Sequence, residues 1–170
     1  MIVKFRRTQT YTQLPKKATE GAACYDCYLP TTYPPLEPGQ IRIINLGFQV
    51  EVPIGYELQI RSRSGLATKG IMVANSVGCV DSDYRGDVGV ILWNASGAIQ
   101  PLIQGDRVCQ LKLSQAPEIE WEVVDEISET ERGTGGFGSS GGHSSLDTKD
   151  LDTSKGQPNS TLDEGTESAF

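Results

Sequence analysis

Short apolar runs recur along the chain from its start to about Val124, and proline and glycine turns separate them. Across Leu46, Phe48, Val50 and Val52 the apolar residues have a period of two, which is typical of a half-buried β-strand. Many short strands with regular turns predict an antiparallel sandwich, jelly roll or barrel. The predicted strands cover residues 2–5, 40–52, 56–60, 71–74, 88–93, 107–113 and 121–124, and the only predicted helix is a turn or two at 64–69.

The composition of the chain changes after Gly141. Residues 142–169 contain no aromatic residue, Ile or Val, and they carry six acidic and two basic side chains. Such a stretch cannot bury enough apolar area to offset the entropy lost when the chain is ordered. We therefore expect one folded domain at residues 1–141, including a glycine-rich C-terminal arm at 132–141, and a disordered acidic Ser/Thr-rich tail at 142–170.

Charge and cysteine content exclude several classes of function. The 170-residue chain has a formal net charge of −7, and phosphate-backbone affinity depends on Lys and Arg, so we expect no nucleic-acid partner. No apolar run approaches membrane-spanning length, which predicts a soluble protein, cytoplasmic or otherwise intracellular, with no membrane partner. Cys24 and Cys27 lie three apart on a strand-like stretch and so point to opposite faces, which is a poor arrangement for a metal.

The loop with the richest chemistry is Gly78-Cys79-Val80-Asp81-Ser82-Asp83-Tyr84-Arg85-Gly86-Asp87. It places carboxylates, an aromatic ring and a cation around one turn between two apolar runs, and functional residues often lie on loops held by a rigid scaffold. Two other segments are less specific. Arg61-Ser62-Arg63-Ser64-Gly65-Leu66-Ala67 offers groups that hold phosphate oxygens, or it is a solvated turn. Gly105-Asp106-Arg107-Val108-Cys109-Gln110-Leu111 resembles a turn that enters a strand, with Asp106 and Arg107 expected to pair.

A glycine-rich segment, Arg132-Gly133-Thr134-Gly135-Gly136-Phe137-Gly138-Ser139-Ser140-Gly141, follows the last predicted strand. It lacks the Gly-Lys-Ser/Thr of a Walker-type loop. Its residues alone are equally consistent with a linker and with a mobile arm that closes over a phosphorylated, ring-bearing ligand.

Five segments in this order resemble the five motifs of the homotrimeric dUTPases. They are Ala22-Ala23-Cys24-Tyr25-Asp26, then Arg63-Ser64-Gly65-Leu66-Ala67, then the Gly78–Gly86 loop, then Gly105–Leu111, then Arg132–Gly141. The resemblance covers about residues 2–141, and it departs from the family pattern at Cys24, Cys27 and Ser62, where glycine, leucine and proline are usual. It implies an all-β, jelly-roll-like β-barrel that assembles as a trimer with active sites shared between subunits.

The resemblance also implies the activity, which is hydrolysis of dUTP to dUMP and pyrophosphate. Asp81 is the matched catalytic base, which would activate the water that attacks the α-phosphorus. Mg²⁺ would be bound by the triphosphate, with Asp26 in its outer shell through water. Tyr84 would exclude a ribose 2′-hydroxyl. The implied substrate contacts are Asn75, Gly78, Cys79, Val80 and Gly89 for uracil, Arg63, Ser64, Gly65 and Gln110 for the triphosphate, and Arg132, Phe137, Gly138 and Ser139 from the arm.

Two other functions are alternatives to dUTP hydrolysis. dCTP deaminases share the fold, but they place a catalytic glutamate five residues beyond the glycine of the third motif, where this chain has Ile91. An isoleucine cannot transfer protons. A non-hydrolytic nucleotide-binding regulatory protein is the second alternative, in which the tail at 142–170 would bind an unknown protein. Asp81 and the arm favour retained hydrolysis.

Overall fold

The structure, a computed structural model, describes residues 1–136. Nearly all of its regular structure is β-strand, and its single helix is one short turn. The elements in chain order are β1 (Lys4–Arg7), β2 (Tyr25–Tyr28), β3 (Tyr33–Leu36), β4 (Ile41–Asn45), β5 (Phe48–Glu51), β6 (Tyr56–Arg61), α1 (Ser64–Ala67), β7 (Ile71–Val73), β8 (Gly78–Val80), β9 (Gly89–Asn94), β10 (Gln100–Leu102) and β11 (Arg107–Gln115).

The strands form small antiparallel sheets around one apolar core. The largest sheet has the order β2-β11-β6-β8, and a second has the order β4-β9-β7. Two further pairs, β1 with β5 and β10 with β3, complete the described strands. Buried side chains from both larger sheets and from β5 contact one another in a single cluster. The predicted all-β, jelly-roll-like class is confirmed.

The alternation at residues 46–52 is confirmed by burial, because Leu46, Phe48, Val50 and Val52 are all at most 5% exposed. The predicted strand at 40–52 is nevertheless two strands. Gly47 separates β4 from β5 at a φ of 77°, a conformation that glycine adopts without steric cost. β4 then pairs with β9, whereas β5 pairs with β1.

Most other predicted elements are present. The runs at 56–60, 71–74, 88–93 and 107–113 correspond to β6, β7, β9 and β11, and the helical turn is α1. The strand predicted at 121–124 is wrong, because these residues have no regular structure, and Val123 is 98% exposed. The pattern missed β3, which contains two prolines, and the three-residue strands β8 and β10.

A second unit begins at Glu122, after the Met1–Trp121 unit that contains all the strands. In its described part, Arg132 lies in a turn where its Nε donates a 2.8 Å hydrogen bond to the carbonyl of Gly135. Phe137, Gly138, Ser139 and the predicted tail lie outside the described residues, so the boundary at 141 stays a prediction. Within residues 1–136 no helix has the length and apolar character needed to cross a membrane.

Two cysteines face each other in the core. Cys27 in β2 is the register partner of Cys109 in β11, and both are buried as free thiols. Interaction with the Cys109 thiol, followed by burial, raises the pKa of Cys27 well above its usual value. Cys24 is half-buried and Cys79 is exposed.

Candidate active site

A cavity of about 170 Å³ lies against β8 and the turn that follows it. Seven of the residues that line it are those that the resemblance assigned to uracil, deoxyribose and catalysis. The structure therefore places these seven predicted residues around one cavity. These seven are Asn75, Gly78, Cys79, Val80, Asp81, Tyr84 and Gly89, and Ile60, Asp87, Val88 and Ile91 line the cavity with them.

Strand pairing places β8 at the wall of this cavity. Gly78 is opposite Ile60 of β6, and Val80 is opposite Leu58. A Cβ on Gly78 would lie 3.1 Å from the Nδ2 of Asn75, so a larger residue would push into the cavity lining. Burial alternates along the strand, with Gly78 and Val80 buried and Cys79 exposed. β8 is also the edge strand of its sheet, so within the described residues only one side of its backbone pairs with another strand.

The Cys79 thiol interacts with a neighbouring carboxylate, Glu57 of β6. A hydrogen bond to Glu57, followed by burial, raises the pKa of the Cys79 thiol. The same contact contributes to the opposite shift in Glu57, whose pKa is lowered first by its hydrogen bond with Gln59 and then by Cys79. The Cys79 thiol also donates a long hydrogen bond, 3.9 Å, to the carbonyl of Val77.

The turn after β8 has a compact hydrogen-bonded structure. The backbone N–H of Tyr84 donates to the Asp81 carbonyl at 3.2 Å, and the Tyr84 hydroxyl donates to the Asp87 carbonyl at 3.0 Å. A Cβ on Gly86 would collide with the Tyr84 hydroxyl, so the glycine allows the ring to fold over the turn. The Asp81 side chain is exposed, and an exposed carboxylate can accept a hydrogen bond from water.

A second group of site residues converges on Asp26 in β2. The Asp26 side chain is 3% exposed, and it forms ion pairs with Arg63 at 3.1 Å and Arg107 at 3.0 Å. Gln110 Nε2 donates to Asp26 Oδ1 at 3.0 Å. Burial by itself raises the pKa of Asp26, but the hydrogen bonds from Gln110, Arg63 and Arg107 outweigh it, so the pKa lies below its usual value.

The expected pairing of Asp106 with Arg107 is wrong. Arg107 reaches across from β11 to Asp26 of β2, whereas Asp106 accepts a 3.0 Å hydrogen bond from the backbone N–H of Ile103. The physical reason is that Asp106 precedes the strand and closes its turn, while Arg107 is the first residue of β11 and lies beside β2.

Ser64 and Gly65 lie at the start of α1, immediately after Arg63, and both are exposed. A Cβ on Gly65 would meet no atom within 4 Å, so its backbone is open to an approaching group. Ser62, which stands where the family usually has proline, accepts a 2.8 Å hydrogen bond from the Val73 N–H through its hydroxyl. The serine thus ties the segment to β7.

The two groups of site residues lie on different strands of the same sheet. Asp26 lies on the edge strand β2 and the cavity lies at the edge strand β8, with β11 and β6 between them. Three strand spacings correspond to about 14 Å. Arg63, Ser64 and Gly65 follow β6, the inner strand that pairs with β8, and Gln110 lies on the inner strand β11. None of these four residues lines the cavity.

The sequence did not indicate one polar residue of the cavity wall, Asp87, or the residue that contacts it from behind, Asn45. Asp87 lines the cavity, although the sequence indicated no role for this member of the loop. Asn45, in β4, donates a 2.8 Å hydrogen bond from Nδ2 to Asp87 Oδ2. No sequence signal connects these two residues, because they are 42 positions apart. Among residues 1–136 no cluster of three or more His, Cys, Asp or Glu side chains could hold a metal ion.

Comparison with known sequences agrees with this geometry. The dUTPase family model matches residues 10–141. The deoxyuridine 5'-triphosphate nucleotidohydrolase of Desulfotalea psychrophila is 46% identical over 143 residues, which cover 80% of this chain and 91% of that protein. The protein of the same name from Orientia tsutsugamushi (strain Ikeda) is 42% identical over 142 residues, which cover 82% of this chain and 94% of that protein.

Solved structures with the same fold include the dUTPase of Staphylococcus bacteriophage 80alpha with dUpNHpp. It has a TM-score of 0.72 and 24% identity, over 82% of this chain and 98% of that one. A mutant dUTPase of phage phi11 of S. aureus, described with a structural Mg(II) ion, has a TM-score of 0.67 and 22% identity, over 75% of this chain and 99% of that one. From its sequence relatives and its family match, the chain belongs to the dUTPase family.

Proposed function

We propose that the chain is a dUTP diphosphatase, which hydrolyses dUTP to dUMP and pyrophosphate inside the cell and thereby lowers dUTP and supplies dUMP for dTMP synthesis. The observation that carries the proposal is the cavity at β8, which unites Asp81, Tyr84 and the Gly78–Val80 backbone in a member of this family.

Asp81 acts as the general base in the proposed reaction. Its exposed carboxylate orients a water molecule and takes its proton as the oxygen attacks the α-phosphorus. The bond from that phosphorus to the oxygen bridging to the β-phosphate breaks, and pyrophosphate leaves. A positioned base of this kind contributes roughly 10²–10⁴-fold to the rate.

The backbone of β8 reads the uracil edge. Cytosine presents the reverse pattern of donors and acceptors at N3 and C4, so it would leave buried polar groups unpaired, and sites of this type discriminate by about 10⁴–10⁵. Tyr84 packs against the deoxyribose and leaves no room for a 2′-hydroxyl. Ile91 lines the cavity where a deaminase needs a glutamate, which supports hydrolysis over deamination.

The triphosphate is bound by Arg63, Ser64, Gly65 and Gln110, and the arm completes the site. In the proposal Arg132 and Ser139 bind the γ-phosphate, Phe137 stacks on the uracil, and Gly138 also contacts the substrate. Because none of the four residues proposed to bind the triphosphate lines the cavity of its own chain, we propose that the sites are shared between subunits of a homotrimer.

Shared sites can be tested by mixing two inactive variants, Asp81→Asn and Arg63→Ala, after unfolding and joint refolding. If each site takes Asp81 from one chain and Arg63 from another, random mixing restores on the order of one quarter of the wild-type sites. Light scattering measures the oligomeric state of both variants as a control. No recovery from mixed, correctly assembled oligomers would show that each site lies within one chain.

Mg²⁺ fits the site only through water. A carboxylate has about four lone-pair positions, and three donors already occupy Asp26, so it is free to accept from one metal-bound water at most. Mg²⁺ gives up its waters reluctantly, which suits such an outer-shell contact. When bound with the triphosphate, the ion would neutralise charge and orient the phosphates.

The first test is product analysis with the purified protein and Mg²⁺, comparing dUTP, dCTP, dTTP and UTP. We expect dUMP and pyrophosphate from dUTP, and little from the others. Deamination of dCTP would contradict the proposal. Binding of dUTP without turnover would favour the regulatory alternative instead.

A further inference from the structure

Asp87 is a cavity-lining carboxylate that the reaction does not use. It is half-buried at the end of the β8–β9 turn, and its side chain accepts a hydrogen bond from Asn45 of β4. This is the one side-chain hydrogen bond in the described part of the chain that joins the turn to β4. Its position makes it the support for the end of the turn opposite to Asp81.

Asn45 is itself held in one orientation. Its Oδ1 accepts a 2.6 Å hydrogen bond from the Gly47 N–H, and its carbonyl accepts a 2.7 Å hydrogen bond from the Tyr33 hydroxyl. Because an N–H donor faces Oδ1, the amide NH₂ group must face Asp87. The backbone of Asn45 also pairs in register with Gly89, another residue of the cavity wall.

The contact continues from Asp87 to Tyr84. The Tyr84 hydroxyl, at the far end of the ring, donates to the carbonyl of Asp87, so the depth of the ring in the cavity depends on where that carbonyl lies. The backbone of the next residue, Val88, is fixed by hydrogen bonds with Leu46 and Phe48. The Asp87 side chain has Asn45 as its described partner.

We propose that Asn45 is a positioning residue for sugar discrimination: by holding Asp87, it fixes the Tyr84 ring at the depth that admits deoxyribose and excludes ribose. The inference rests on the proposed function, because it assigns Tyr84 to the sugar of dUTP. Asn45 touches no substrate, and it acts only through Asp87 and Tyr84.

The main variant is Asn45→Asp. It keeps an oxygen for the Gly47 N–H but replaces the donor toward Asp87 with a carboxylate, so two like charges face each other. A hydrogen bond to a charged group corresponds to about a tenfold effect or more. We expect the ratio of kcat/KM for dUTP to that for UTP to fall at least about tenfold, with KM for dUTP changing more than kcat.

A reciprocal exchange provides the rescue. In the double variant N45D/D87N the donor and the acceptor change places, and we expect most of the selectivity to return. Thr32→Val is the control, because it removes the hydrogen bond that the Thr32 hydroxyl accepts from the Gln104 N–H without touching Asn45, Gly47 or Asp87; it should leave the dUTP-to-UTP ratio unchanged.

Binding distinguishes this inference from the proposed function. Affinities for dUMP and UMP are measured by calorimetry and need no turnover. If the wild-type protein did not hydrolyse dUTP, the proposed function would be refuted, but the role of Asn45 could still be tested by these affinities. An unchanged dUMP-to-UMP ratio in folded Asn45→Asp, or in Asn45→Ala if the first variant does not fold, would overturn the inference. A double variant that regains stability but not selectivity would overturn it as well.

Discussion

The guanidinium of Arg63 donates a 3.1 Å hydrogen bond to the buried carboxylate of Asp26, so the second and first motifs are joined inside one chain. Arg107 and Gln110 donate to the same carboxylate. Asp26 therefore organises the residues proposed to bind phosphate, whatever it also does toward a metal-bound water.

Removal of the Asp26 carboxylate should destabilise the protein. Asp26→Ala removes the acceptor of three hydrogen bonds and leaves Arg63 and Arg107, whose side chains are 20% and 48% exposed. Because water still reaches both guanidinium groups, we expect a cost of about 1–3 kcal/mol, less than for a fully buried pair. Urea unfolding, monitored by tryptophan fluorescence, measures the change in the free energy of unfolding. Lys4→Ala is the control, because the Lys4–Glu51 pair has side chains 72% and 46% exposed, and exposed pairs contribute little.

The lowered pKa of Asp26 predicts acid sensitivity. Because the folded pKa lies below the usual value of 3.8, the stabilisation is fully present at neutral pH and is lost as the pH falls through 3.8 and then through the folded pKa. The free energy of unfolding should therefore drop more steeply below about pH 5 in the wild type than in Asp26→Asn. Parallel curves for the two proteins would show that the pKa of Asp26 is not lowered.

The base role of Asp81 predicts a separation of binding from turnover. Asp81→Asn should keep affinity for dUTP and lose roughly 10²–10⁴-fold in kcat, because the amide cannot take the proton. Pyrophosphate release and calorimetry measure the two properties on the same sample. Asp83→Asn, a change two positions along in the same turn, serves as the matched control, and substantial hydrolysis by Asp81→Asn would remove that residue from the role.

Close packing at Gly78 predicts a steric effect on substrate binding. The methyl group of Gly78→Ala would lie 3.1 Å from Asn75 Nδ2 and 3.5 Å from Ile60 Cβ, and overpacking of this kind costs about 1–3 kcal/mol. KM for dUTP should rise while the fold is kept. Gly97→Ala is the control, since a Cβ there meets no atom within 4 Å; an equal rise in KM for both variants would argue against the cavity.

Two truncations test the arm and the tail separately. Removal of everything after Glu131 should abolish turnover, because it deletes Arg132 and Phe137, and it should leave the trimer intact by light scattering. Removal of everything after Gly142 should leave turnover unchanged. A large loss of activity after removal of residues 143–170 alone would mean that the tail takes part in catalysis.

Local patterns predicted most of the fold, because strands with one buried face have a visible period. The break at Gly47 was not predictable, since its cause is distant in sequence: a Cβ there would collide with Thr12 and crowd Pro30. The alternating residues at 121–124 misled the prediction, because a period of two shows that a segment could pair but not that a partner strand lies beside it.

The grouping of the seven cavity residues was predictable because they lie on one loop and the strands beside it. The environment of Asp26 was not, because its partners Arg63, Arg107 and Gln110 lie 37, 81 and 84 positions away. The role of Asn45 was not predictable for the same reason, because its partner Asp87 is 42 positions away. Functional residues on one loop can be recognised because they are close in sequence. Ion pairs and positioning contacts between distant residues depend on which strands lie side by side.

The absence of the proposed phosphate residues from the cavity lining has a consequence for how the protein responds to its own concentration. On the proposed assembly, a solitary chain carries two incomplete halves that cannot act on each other. Activity then obeys mass action between chains: dilution depletes complete sites, and the nucleotide, by bridging two subunits, counteracts that depletion. Bound substrate thus stabilises the oligomer of the enzyme that hydrolyses it.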